Sequence, residues 1–172
     1  EMAMSVDPYV EVNGKKSYHF SATIKSSPFF STFYAVDDYG ETFMDFYEMI
    51  PFNILIKVKE SAQLREVRSF FDWKTLKANY WERKVTKQRG TEEKKHEWAI
   101  EPYTHNAFSA AYYLRTFNLV PGKVVKFRVA DENRNMVVTG NVVRREEIET
   151  DAGKFKTVVV RPEIAMDGVF TP

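Results

Sequence analysis

The chain reads as mainly β: a strongly curved antiparallel sheet or partly open β-barrel of about ten strands, with one inserted helix, about 105–117, packed in or over its concave side. Three observations predict this. Apolar and polar residues alternate with period two through most of the chain, the mark of half-buried strands. Turn residues recur at hairpin spacing, as in meandering all-β folds. One stretch alone, Thr104–Leu119, reads better as helix than as strand.

Met2–Val6 is predicted as a short strand, and Asn13-Gly14 as a type I′ hairpin turn, since both residues tolerate positive φ. Tyr18, Phe20, Ala22 and Ile24 then alternate with polar neighbours, giving a strand with one wet face. Phe29–Val36, rich in Phe and Tyr, is expected to be a strand, and Asp37–Gly40 a turn. Glu41–Glu48 and Phe52–Val58 continue the series, with Pro51 marking a strand end. Glu60–Phe71 has helical propensity, but Val67, Ser69 and Phe71 alternate with Arg68 and Phe70, which favours a strand. Leu76–Lys87 is a long strand. Gln88–Lys95 is a solvated tip around Gly90, and His96, Trp98 and Ile100 alternate into the next strand.

Thr104–Leu119 opens on N-cap residue types, Thr104 and Asn106, whose side-chain oxygens can accept orphan backbone N–H groups. Pro121-Gly122 stops the run. Phe108, Ala111, Tyr112 and Arg115 share one face, and Ala107, Ala110, Leu114 and Phe117 the adjoining one. A helix this broadly apolar needs cover, and one of roughly 12 residues needs packing to persist. After it, Val125, Phe127 and Val129 face inward with Lys126 and Arg128 outward. Asp131–Asn135 turns. Met136–Val143, apolar on both faces, is expected to be a central, doubly covered strand. Asp151–Gly153 turns into Phe155–Val160, which Pro162 is expected to end.

Length and composition fit a single domain, residues 1–172, with 44% hydrophobic and 28% charged residues. A net charge of +1 lacks the basic excess of a dedicated nucleic-acid binder. No stretch approaches the ~18 apolar residues of a membrane-spanning helix. The absence of cysteine removes disulfides, thiolate catalysis and thiolate metal sites. The chain starts at Glu1 without a signal-peptide pattern, so its start does not report a compartment. Aromatic content of 15% serves either a core of large rings or a cavity for an apolar ligand.

Catalytic signals are weak. His105 and Ser109 share a helix face but lack the strained turn and oxyanion donors of a serine nucleophile. His19, His96 and His105 have no metal-ligand spacing. No catalytic residue, metal site or cofactor is expected. The run Arg83, Lys84, Lys87, Arg89, Lys94, Lys95, interleaved with Trp81 and Trp98, is offset by glutamates and reads as a solvated hairpin. Arg115 is the most informative polar residue. Either it has an acidic or carbonyl partner or reaches water, or its guanidinium waits at a cavity mouth for a carboxylate or phosphate. With Phe108, Tyr112 and Tyr113, Arg115 makes up the candidate ligand-binding set.

The segment Asn106–Arg115 followed by Pro121-Gly122 resembles a bacterial envelope family, domain of unknown function 3108. Phe33–Asp38, Phe71-Asp72 and Thr150–Phe155 carry the resemblance across nearly the whole chain. The family more often has aspartate at the position of Asn106, a change of charge that keeps the capping role. Its domain is expected to begin before Glu1 and to run past Pro172, leaving a barrel open at both ends. The resemblance implies a periplasmic or outer-membrane-associated protein of Gram-negative bacteria, peripheral to the membrane at most. Its sheet-plus-helix plan is similar to that of half-barrel carriers of periplasmic lipoproteins. The expected function is non-enzymatic binding of an apolar ligand, a lipid or lipoprotein acyl chain. The alternative is an envelope scaffolding or protein-interaction module with a packed interior. A hydrolase built on His105 and Ser109 is the third reading.

Overall fold

The computed structural model describes residues 1–166. Strand accounts for 68% of the chain. The first seven strands form one antiparallel meander in chain order: β1 (Met2–Val12), β2 (Lys15–Lys25), β3 (Asp37–Asp45), β4 (Asn53–Glu60), β5 (Gln63–Asp72), β6 (Lys77–Thr86) and β7 (Gly90–Ala99). A short β8 (Thr104–His105) leads into the main helix. Then β9 (Val124–Asp131), β10 (Arg134–Thr150) and β11 (Gly153–Met166) complete a second sheet in the order β11-β10-β9-β8. The two sheets are not closed into a barrel.

Turn chemistry sets the meander. Asn13 and Gly14 both take positive φ, 50° and 74°, as a type I′ turn requires. Glu132 and Asn133 do the same between β9 and β10, at 46° and 68°. In the first sheet the period of two then places Phe20, Ile54, Val67, Phe71, Ala78 and Tyr80 on one buried face. Phe71, Ala78, Ile100 and Ala130 form a cluster that joins this face to the second sheet, with Trp73 and Trp98 packed against it. Polar bonds lie over the junction: Trp98 Nε1 donates to Asn135 Oδ1 (3.2 Å), and Asn135 Nδ2 donates to the Ala99 carbonyl (2.9 Å). Arg65 on β5 reaches Glu132 in the β9–β10 turn.

Several elements differ from expectation. Phe29–Val36 is not a strand: Pro28–Ser31 forms a single helical turn, α1, and only Val36 bridges, to Glu60. Ser26 fixes this detour by accepting the Val36 N–H on its hydroxyl and bonding Ser31 Oγ. Asp37–Gly40 is no turn but the start of β3, paired with Thr23–Lys25 and Ala22 of β2. β1 is longer than Met2–Val6. Met136–Val143 lies inside β10, central as expected, yet its outer face is only half covered and Val143 is 37% exposed. Pro162 does not end a strand. It pairs opposite Gly140 within β11, where a missing N–H is tolerated because β11 is an edge.

The main helix, α2, spans Ala107–Leu114, shorter than 105–117. At its start, His105 is held in β8 by parallel pairing with Val129. At its end the hydrogen bonding tightens to three-residue steps, with Arg115, Thr116 and Phe117 N–H groups donating to Tyr112, Tyr113 and Leu114 carbonyls.

Candidate functional site: a groove beside the buried helix

α2 starts from a sealed polar anchor. Asn106 is its N-cap: Oδ1 accepts the Ser109 N–H (2.8 Å), and Ser109 Oγ accepts the Asn106 N–H (3.1 Å). This reciprocal pair is a capping box with serine at the third helical position. The amide's other end reaches into the first sheet. There β3 and β4 pair only over Tyr39–Glu41 and Leu55–Lys57, then part. Asn106 Nδ2 enters the gap, donating to Thr42 Oγ1 and to the Asn53 carbonyl, each at 3.0 Å. Asn106, Thr42, Thr104, His105 and Ser109 are all at most 1% exposed. An aspartate at this position would keep the capping acceptor but lose both donors into the sheet.

His105 stacks on Tyr113 at 4.0 Å and meets the Phe127 ring edge-on. Its Nδ1 lies 3.2 Å from Ser109 Oγ, and its Nε2 is buried without a hydrogen-bond partner. Burial pushes the imidazole pKa down to about 4, so the ring is neutral at physiological pH. The structure thus brings His105 and Ser109 together, but both are 0% exposed. The serine hydroxyl is already engaged with the helix-start backbone, an arrangement that secures a helix start.

The two sides of α2 face different walls. Tyr112 stacks on Phe20 of the first sheet at 3.8 Å. The Phe108 ring edge lies over Gly40, 3.5 Å from where a Cβ would stand. Tyr113 is taken by His105 and Phe127. Three of the four predicted ligand-binding residues are therefore half-buried packing rings. Arg115, the fourth, is the exposed C-cap residue and forms no ion pair among the described residues.

The stripe Ala107, Ala110, Ala111, Leu114, at helical spacing, faces the second sheet. Small side chains keep that approach open, and a groove of about 280 Å³ runs between helix and sheet. Every residue lining it is apolar. Phe127 and Val129 of β9 form the inner wall. Met136, Val138 and Gly140 of β10 form the floor. Val160, Pro162 and Ile164 of β11 form the outer wall, where Ile164 is 62% exposed. At Gly140 an added Cβ would meet Val125 of β9 at 3.0 Å and Val160 of β11 at 3.1 Å, with Leu114 of the helix at an ordinary 3.8 Å, so glycine is what lets the valines of the two flanking strands close over the floor. The sequence places Ala107, Ala110 and Leu114 on one helix face but Ala111 on the adjoining one, and the pairing with Gly140 is not legible in it.

Among the described residues no cluster of His, Asp and Glu is arranged to hold a metal ion. The basic run on β6 and β7 is matched across the ladder, Arg83 opposite Glu93 and Lys84 opposite Glu92, with Lys94 3.5 Å from Glu82. No curated protein and no solved structure matches the chain. One family model does, described as "Protein of unknown function (DUF3108)", over residues 1–171, and the chain belongs to that family.

Proposed function

We propose that this protein is a non-enzymatic binder of an apolar chain, a lipid or lipoprotein acyl chain, held in the groove between α2 and the second sheet. The observation that carries the reading is the uniform apolar lining with one open side. Ligand pockets are mostly apolar, and at about 280 Å³ this one lies just below their usual range of roughly 300–1,000 Å³. A single flexible chain suits it better than a bulky ring system. Exposed apolar wall such as Ile164 gains free energy when covered, about 25 cal/mol for each Å² removed from water. The envelope setting that the family resemblance implies would supply such chains.

Arg115 follows directly on Leu114, which lines the groove, and is free to meet an anionic head group at that end. The sealed His105–Ser109 pair supports a binding role over a hydrolytic one. A protein-interaction role draws support from a separate observation. Beyond a bulge at Val142/Arg144, β10 and β11 continue as a two-strand ribbon past the end of β9, with Ile148 and Phe155 paired and exposed.

The test is native mass spectrometry of the chain after incubation with a medium-chain fatty acid. The wild type is expected to retain one acyl chain, and Ala111→Phe, which fills the groove from an exposed position, is expected to lose it. Absence of uptake by the wild type, or equal uptake by both, would overturn the proposal.

A further inference from the structure

The apolar face of the first sheet extends past the helix that covers its middle. Phe108 lies over Gly40 of β3 and Tyr112 stacks on Phe20 of β2, so α2 crosses these two strands. β1 is the sheet edge beyond them. Residues directly opposite in an antiparallel pair share a face. Val6 pairs with Phe20, Met4 with Ala22 and Met2 with Ile24, so the apolar residues of β1 stand on the face that α2 covers. Phe20 is 3% exposed there, but Ile24 is 43%, Val6 50%, Met4 54% and Met2 60% exposed. On the opposite face the same strands pair Ser5 with Ser21 and Asp7 with His19. β1 is thus patterned for one dry side, and that side is open. A contiguous apolar lane of this kind marks a site of interaction.

The lane makes α2 a ridge between two apolar surfaces. Ala107, Ala111 and Arg115 are exposed and stand four residues apart along its crest. On one flank Ala110 and Leu114 descend into the groove. On the other, Phe108 and Tyr112 lead down to β2 and the lane beyond it. The two surfaces share one chemistry. The groove has Met136, Val138 and Ile164, and the lane has Met4, Val6 and Ile24. Methionine is unbranched and adaptable, suited to a mobile apolar chain. A helix with its side chains is roughly 10 Å across, a gap that two acyl chains joined on one glycerol can span within their first few carbons. At the C-terminal end of the crest, Arg115 forms no ion pair among the described residues, and a guanidinium can grip a phosphate through two N–H groups.

We propose that the ligand is a two-chain anionic lipid that straddles α2. One acyl chain lies in the groove, the other lies along Met2, Met4, Val6 and Ile24, and the phosphate sits at Arg115. This rests on the groove reading above and adds a second chain to it. Each methylene buried tightens binding about fourfold, so a second chain that buries only three of them gains roughly 50-fold.

The test is a native mass spectrometry titration with dioctanoylphosphatidylglycerol and with its one-chain counterpart, octanoyl-lysophosphatidylglycerol. Wild type is expected to hold one two-chain lipid roughly 50-fold more tightly than the one-chain lipid. Met4→Thr with Ile24→Thr should weaken the two-chain lipid by about 10-fold or more. The same variant should keep wild-type affinity for the one-chain lipid, which also reports that its fold and groove are intact. Ala111→Phe should weaken both lipids. Equal affinity of the wild type for the two lipids, or an unchanged two-chain affinity in the threonine variant, would overturn the straddling lipid and leave the groove reading standing. No uptake of either lipid would overturn both. A lipid-free dimer that the threonine substitutions dissolve would assign the lane to a second copy of the chain and overturn this proposal alone.

Discussion

Asn106 Nδ2 donates to the carbonyl of Asn53 at 3.0 Å, joining the start of the one long helix to the place where β3 and β4 part. The same amide caps the helix through its oxygen. One side chain thus orients α2 against the first sheet while its alanine stripe is left for the second.

Asn106→Ala should therefore cost more than an ordinary cap. Losing the cap, the Asn106 Oδ1 partner of the Ser109 N–H, costs about 1 kcal/mol, and losing the two buried Nδ2 bonds to Thr42 Oγ1 and the Asn53 carbonyl costs roughly 1–3 kcal/mol more. A total loss of about 2–4 kcal/mol in urea unfolding is expected. A loss below 1 kcal/mol would mean that water or a neighbour replaces the amide.

Acid should unfold the protein partly through His105. Its pKa is about 4 in the fold against 6.5 unperturbed, so below pH 6.5 the unfolded chain takes up a proton that the folded chain refuses. The stability it contributes is complete above pH 6.5 and declines as pH falls toward 4, by about 3 kcal/mol over that span. His105→Phe keeps a ring against Tyr113 and removes the orphaned Nε2. Its unfolding free energy should vary less between pH 7 and pH 4.5 than that of the wild type. Equal slopes would assign the acid sensitivity to other groups.

What was legible in the sequence was local. Alternation located the strands, Asn13-Gly14 its hairpin, and Asn106 the cap, because each depends on neighbours a few residues away. The failures are long-range. Phe29–Val36 has the rings of a strand, but among the described residues only Val36 bridges to one, at Glu60, and Ser26 folds the segment into a detour. Asp37–Gly40 has turn residues, yet Gly40 lies in a strand, paired with Ala22 and beneath the Phe108 ring. The candidate ligand-binding set, Phe108, Tyr112, Tyr113 and Arg115, rests on polar and aromatic chemistry rather than on these misplaced elements. The groove instead depends on what is small, Ala107, Ala111 and Gly140, whose value shows only once two sheets are set around a helix.

Arg115→Ala should leave stability nearly unchanged. The side chain is exposed and unpaired among the described residues, and its cap role rests on its backbone N–H. Surface changes of this kind fall within about 0.5 kcal/mol. A fall in melting temperature of several degrees would reveal a structural contact. With stability intact, weaker retention of a fatty acid but not of an uncharged alkane chain would give the guanidinium a ligand role.

Two glycines under the same helix should respond with opposite sign. At Gly140 a methyl group meets Val125 at 3.0 Å and Val160 at 3.1 Å, closer than side chains ordinarily approach. Overpacking of this kind costs about 1–3 kcal/mol, and Gly140→Ala should also narrow the groove. At Gly40 the nearest atom is the Phe108 ring at 3.5 Å, an ordinary contact. Gly40→Ala adds packing there and restricts the unfolded chain, a gain of about 0.4–1 kcal/mol. Paired urea unfolding curves check both at once. If Gly140→Ala is neutral, Val125 and Val160 give way to a methyl group, and their close approach over Gly140 is not what fixes the groove's width.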